Sequence, residues 1–122
     1  MDMEPISIYT RQQALEDGVL IDVTDMAREA SIRYPVAVTT RLWNEFVVPL
    51  EVDEHAGQST NGRLWDVLYL FAIHARQCRG NEFQYRVGFV LNGKNVVQEL
   101  KAVVDRGDHF EPVITLMLPD ED

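Results

Sequence analysis

The chain has 122 residues, 46% of them hydrophobic, and sets 20 acidic side chains against 11 basic ones for a formal charge of -9. Length and apolar content predict one domain with a real core, while the negative field disfavours nucleic acid and anionic membrane and favours basic protein surfaces. The lone cysteine, Cys78, excludes an intrachain disulfide framework. The longest apolar run, Val67 to Ile73, is too short to span a bilayer. The opening MDMEPIS carries acids where a signal peptide needs lysine or arginine, so a soluble, cytoplasmic protein is expected.

In chain order, Thr10 followed by Gln13 has capping-box spacing, and Gly18 suits a helix C-terminus, so a short helix lies between them. VLIDV (19–23) is β-branched and reads as extended. Thr24 or Asp22 can cap a second short helix running to Ile32, before the turn at Pro35. A brief VAV (36–38) precedes a third helix around RLWNEF, capped by Thr39 or Thr40. Residues 49–62 (PLEVDEHAGQSTNG) are acidic and rich in turn formers, which predicts a mobile loop.

A longer helix is predicted over residues 61–78, with its cap in the STN cluster, Arg76 and Arg79 near its C-terminus and Gly80 as its stop. Leu64, Leu68, Phe71, Ala75 and Cys78 share one face, and Trp65, Leu70, Ala72 and Ile73 fill much of the remainder. That pattern predicts a central helix buried on most sides. Trp43 and Trp65 are both expected in the core.

The last third reads as β. Phe83, Tyr85, Val87, Phe89 and Leu91 recur at every second position, and Asn92-Gly93 marks a two-residue hairpin. That turn sets Leu91 against Lys94, so Phe89 meets Val96, Tyr85 meets Leu100, Phe83 meets Ala102 and Arg86 meets Glu99. Gln98 then joins the apolar face opposite Val87. The expected fold is α+β: short N-terminal helices, one long buried helix, and a C-terminal three-stranded antiparallel meander over 82–91, 94–104 and 112–118. The third strand, VITLML (113–118), is apolar on both faces, which predicts that both are covered.

The segments IYTRQQALEDGVLIDVT, YPVAVT, GRLWDVL and EPVITLMLPDED together resemble a family of short, acidic bacterial proteins of unknown function carried by plasmids, integrative elements and phages. The resemblance implies an accessory role on a mobile element and brings no catalytic residues with it.

Candidate chemistry is thin. His74 and Cys78 are four residues apart on the long helix, but a structural zinc needs four ligands, and His55 and His109 have no cysteine beside them. The acid groups Asp22 with Asp25, Glu51 with Asp53 and Glu54, and Asp105 with Asp108 read first as solvated faces. Arg106-Gly107-Asp108 reads as turn chemistry, and no phosphate-binding or nucleophile-elbow motif occurs. No catalytic, cofactor or metal site is therefore assigned. The expected function is non-enzymatic: a mobile-element accessory protein binding a basic host or plasmid protein, with an anti-defence or nucleic-acid-mimic role as one form. The partner-binding residues are expected to be Glu51, Asp53, Glu54, Asp120, Glu121 and Asp122. A small hydrolase using acids with His74 or His109 is one alternative. The other is a self-associating homo-oligomer whose sheet edge pairs with a copy of itself, with the doubly apolar strand 113–118 covered on both faces.

Overall fold

The computed structural model describes residues 9–122; the MDMEPIS reading lies outside the described residues. The chain forms α1 (Arg11–Glu16), β1 (Leu20–Asp22), α2 (Thr24–Glu29), β2 (Val36–Thr39) and α3 (Thr40–Leu42), which runs on into a π-helical turn at Trp43–Val47. Then come α4 (Glu51–His55), α5 (Thr60–Ala75), β3 (Glu82–Leu91), β4 (Lys94–Arg106) and β5 (Pro112–Met117). The α+β class holds.

The hairpin pairs in the expected register: Leu91 with Lys94, Phe89 with Val96, Arg86 with Glu99, Tyr85 with Leu100 and Phe83 with Ala102. Asn92 and Gly93 both adopt positive φ (51° and 75°), the pair of left-handed residues that a turn matching strand twist requires.

The sheet itself differs from the expected three-stranded meander. It has five strands in the order β1-β2-β5-β4-β3, and β2 pairs with β5 in parallel. The short segments VLIDV and VAV, each unremarkable alone, extend the meander through β5. Val36, Ala37 and Val38 are fully or almost fully buried, and burying that strand's backbone requires neighbours on both sides. The last strand of the expected meander, 113–118, is therefore an interior strand of the sheet and not an edge.

The two faces of the sheet are covered unequally. Tyr85, Val87, Phe89, Leu100, Ala102, Ile114, Leu116, Val36 and Val38 pack with Leu64, Val67, Leu68 and Phe71 of α5 and with Ala27 of α2 in one core. On the opposite face α1 is fastened by polar contacts. Thr10 and Gln13 form the capping box, and the Asp108 carboxylate accepts the Arg11 and Gln12 N–H groups, each at 3.0 Å. Arg11 donates to Thr115 Oγ1 at 2.8 Å and to the Ile114 carbonyl at 2.9 Å. Both faces of β5 are thus covered, as its double apolarity required, with Val113 and Met117 buried as well as Ile114 and Leu116. Asp108 of the Arg-Gly-Asp turn is a helix-capping residue.

Three further expectations change. Helix α2 stops at Glu29, short of Ile32, because Ser31 takes a left-handed φ of 68°. Its N–H donates to the Arg28 carbonyl while Ile32 donates to Ala27, which closes the helix as glycine usually does. Segment 49–62 is not a plain loop, since it contains α4. Helix α5 ends at Ala75, where the Gln77 and Cys78 N–H groups both turn back to the His74 carbonyl. Cys78 is therefore exposed and off the apolar stripe. Nor is α5 buried all round: Trp65, Tyr69 and Ile73 are 38%, 48% and 37% exposed, with the Trp65 and Tyr69 rings stacked at 5.9 Å. Trp43, by contrast, packs against the core.

Leu68 is fully buried in the core that α5 forms with the sheet. Leu68→Ala should cost about 2–5 kcal/mol in urea unfolding; a loss below about 0.5 kcal/mol, the scale of an exposed site, would mean that the face of α5 is misassigned.

Candidate functional site

Strand polarity places the acidic residues. β2 and β5 run in parallel and end together, β2 leading into α3 and β5 into the C-terminal tail. β4 is antiparallel to β5, so its first residues and the Asn92-Gly93 turn lie toward that same end of the sheet. The turn is held there by α4. Both expected acid clusters lie in that direction but at different levels: the tail is fixed beside Lys101, whereas α4 holds the turn seven residues of β4 further on.

The six acids play different parts. Asp53 is 1% exposed. Its Oδ2 accepts the Asn92 N–H at 2.8 Å, and its Oδ1 accepts the Gly93 N–H at 2.9 Å. Arg63 of α5, 4% exposed, brings its Nη2 to 3.5 Å from Asp53 Oδ2. That guanidinium also donates to the Phe46 carbonyl at 3.0 Å, to Gln58 Oε1 at 3.3 Å and to the Val90 carbonyl. Among the described residues no buried side-chain nitrogen or oxygen lacks a partner. Asp53 is thus a joint between α4, α5 and the hairpin, and it cannot meet a partner protein. The expectation of six exposed contact residues fails at this position, because two turn amides and a buried arginine need the carboxylate inside. The hydrogen bond from Asn92, helped by Gly93 and by the Arg63 charge, holds the Asp53 carboxyl below its ordinary range despite the opposing effect of burial.

Glu51 and Glu54, on the same five-residue helix, are exposed. The tail is more tightly built than a free terminus. Asp120 pairs with Arg41 Nη1 at 2.7 Å, and Arg41 Nε reaches Glu45 at 2.9 Å. The Arg41 hydrogen bond is the main reason that the Asp120 carboxyl lies below its ordinary range. Glu121 Oε2 accepts Thr39 Oγ1 at 2.7 Å and the Leu118 N–H at 2.8 Å, and its carbonyl accepts from Lys101. Asp120 and Asp122 are exposed, and Glu121 is half-buried. Of these six, Glu51, Glu54 and Asp122 make no ion pair or side-chain hydrogen bond among the described residues.

The groups weighed for catalysis do not converge. His74 Nδ1 lies 2.8 Å from the Leu70 carbonyl, and its ring packs on Tyr85 at 5.7 Å. His109 is exposed in the β4–β5 loop, and His55 ends α4. Among the described residues no group of three or more His, Cys, Asp or Glu side chains is placed to hold a metal ion. None of their helices is long and apolar enough to cross a membrane. A groove of about 1010 Å³ lies on the α1 side of the sheet, where Arg11, Lys101 and Arg41 mix with Asp105, Glu121 and Asp122. Sequence reasoning missed Arg63, which reads as one more polar residue at a helix start. The available signal was its place next to Leu64 and four residues before Val67, inside the face that packs on the sheet.

The pH response of the Asp53 joint follows from its lowered folded-state pKa. The stabilisation is complete above the unfolded carboxylate value of about 3.9 and is lost as pH falls through the folded value. Asp53→Asn keeps one oxygen and turns an NH₂ donor toward a donating N–H, so its urea midpoint should drop well below that of the wild type near neutral pH. The gap should then shrink as pH falls below about 4. A gap constant down to about pH 2.5 would contradict the assignment of that titration to Asp53.

A family model described as a family of unknown function, DUF6573, matches residues 2–122. No curated protein matches the chain, and no solved structure does.

Proposed function

The chain belongs to DUF6573, a family of unknown function, and from its own surface we propose that it is a non-enzymatic accessory protein that binds a basic protein surface. Its contact region is the end of the sheet where α4 and the C-terminal tail meet solvent. The observation that carries this reading is the anchoring of α4. Because Asp53 ties the helix down from within, Glu51 and Glu54 are presented outward from a fixed backbone, in the same direction along the sheet as Asp120 and Asp122. Pre-placed charges lose little freedom on binding, and like-signed exposed charges speed the approach of an opposite surface in a salt-dependent way. The excess of 20 acids over 11 bases supports the same polarity of partner. In the finer form of this reading the protein is cytoplasmic, is carried by a plasmid, integrative element or phage, and occupies a basic, nucleic-acid-binding surface of a host or plasmid protein.

Two triple variants test the location. Glu51→Lys, Glu54→Lys and Asp122→Lys together change exposed acids with no side-chain bond to another described residue, so folding stability should move by no more than about 0.5 kcal/mol per site. Capture of a salt-labile basic partner from host lysate should be lost. Glu16→Lys, Asp25→Lys and Glu29→Lys, also exposed, change net charge equally and should leave capture intact. Equal loss in both variants would reduce the effect to net charge, and intact capture in both would remove the strand-end surface from the account.

A further inference from the structure

β1, at one edge of the sheet, is three residues long, whereas β3 at the other edge has ten. The hairpin register fixes which of its groups point outward. Leu91 and Lys94 close a two-residue turn, so Leu91, Phe89, Val87, Tyr85 and Phe83 bond to β4. The N–H and C=O groups of Glu82, Gln84, Arg86, Gly88 and Val90 then face away from it. α5 covers one face of β3, and the edge itself is uncovered among the described residues except at its end. There Arg63 occupies the Val90 carbonyl. A long unpaired edge of this kind is a template for another strand.

We propose that the occupant of this edge is β3 of a second copy, antiparallel across a two-fold axis through Gln84. The register is chosen by charge and by Arg63. Centring the axis on Gln84 sets Glu82 opposite Arg86 of the second copy, twice by symmetry, and Phe83 opposite Tyr85. Centring it on Arg86 would oppose two arginines and would also demand the Val90 carbonyl that Arg63 already holds. Centring it on Tyr85 would leave Glu82 facing glycine. Only the Gln84 register pairs every charge on the edge with its opposite.

Within one chain Arg86 already lies 3.8 Å from Glu99, with 77% of its side chain exposed. In the dimer it sits between Glu99 and the second copy's Glu82. The half-buried Phe83 gains an aromatic neighbour, and about six backbone hydrogen bonds join the two sheets into one. Glu51 and Glu54, carried on α4 beside the turn at the other end of β3, stay outside this contact, whereas Asp122 lines the same groove as Glu82.

Sedimentation equilibrium across a concentration series reads the proposal directly. The 122-residue chain should approach twice its 14.0 kDa mass. Glu82→Arg alone opposes arginine to arginine, and Arg86→Glu alone opposes glutamate to glutamate. Each should raise the dissociation constant by about tenfold or more, with unchanged far-UV circular dichroism. Mixing the two variants should restore dimerisation as a heterodimer, since both cross-strand pairs are then complementary. A wild-type monomer at all concentrations overturns the proposal and leaves the edge to a different protein. Single variants that dimerise like the wild type, or a mixture that stays monomeric, overturn it as well.

Discussion

The carboxylate of Asp53 is the constraint on which the strand-end half of this molecule depends. One buried group accepts both amides of the β3–β4 turn and faces the guanidinium of Arg63. Through Arg63 the same joint reaches the Phe46 carbonyl after α3, Gln58 after α4 and Val90 at the end of β3. Removing either charge would leave the other buried without a counterpart, the costly way to break such a pair. The stretch from Phe46 to Arg63 is thereby folded together and held to the distant β3–β4 hairpin, and α4 has little else to hold it, being five residues long with a single buried side chain.

This joint explains why acids adjacent in sequence differ in role. Glu51 and Glu54 flank a residue committed to the interior, so the helix that displays them is fixed by the residue it hides. The tail repeats the logic on a smaller scale: Glu121 binds back to Thr39 and Leu118, and Asp120 closes on Arg41, while Asp122 stays outside. Arg63 has a second consequence on the flank of the sheet. By taking the Val90 carbonyl it ends the free edge of β3 and restricts the registers in which another strand can join.

Local chemistry was legible in the sequence wherever one residue type had one physical use. The capping box at Thr10 and Gln13, the Asn92-Gly93 turn and the alternation from Phe83 to Leu91 each specified its structure, including the cross-strand register. Non-local pairing was not legible in the same way. Nothing in VLIDV or VAV says which strand it will join, and the parallel β2–β5 pair links segments separated by most of the chain. The end of α2 was hidden because Ser31 does the work usually given to glycine. The exposed Trp65 and Ile73 read as core in the sequence because hydrophobicity alone does not distinguish an open face from a buried one. Asp53 was misplaced for a related reason: three acids in four residues look alike until the turn that needs one of them is in place.

Amide hydrogen exchange at Asn92 and Gly93 tests the central role of Asp53 most directly. Both residues are exposed at the tip of a hairpin, where amides ordinarily exchange with little protection. If their N–H groups are held by a buried carboxylate, they should be protected to a degree comparable with the amides of Tyr85 and Leu100 in the sheet. Exchange at the rate of an open turn, with the strands on either side still protected, would contradict the account.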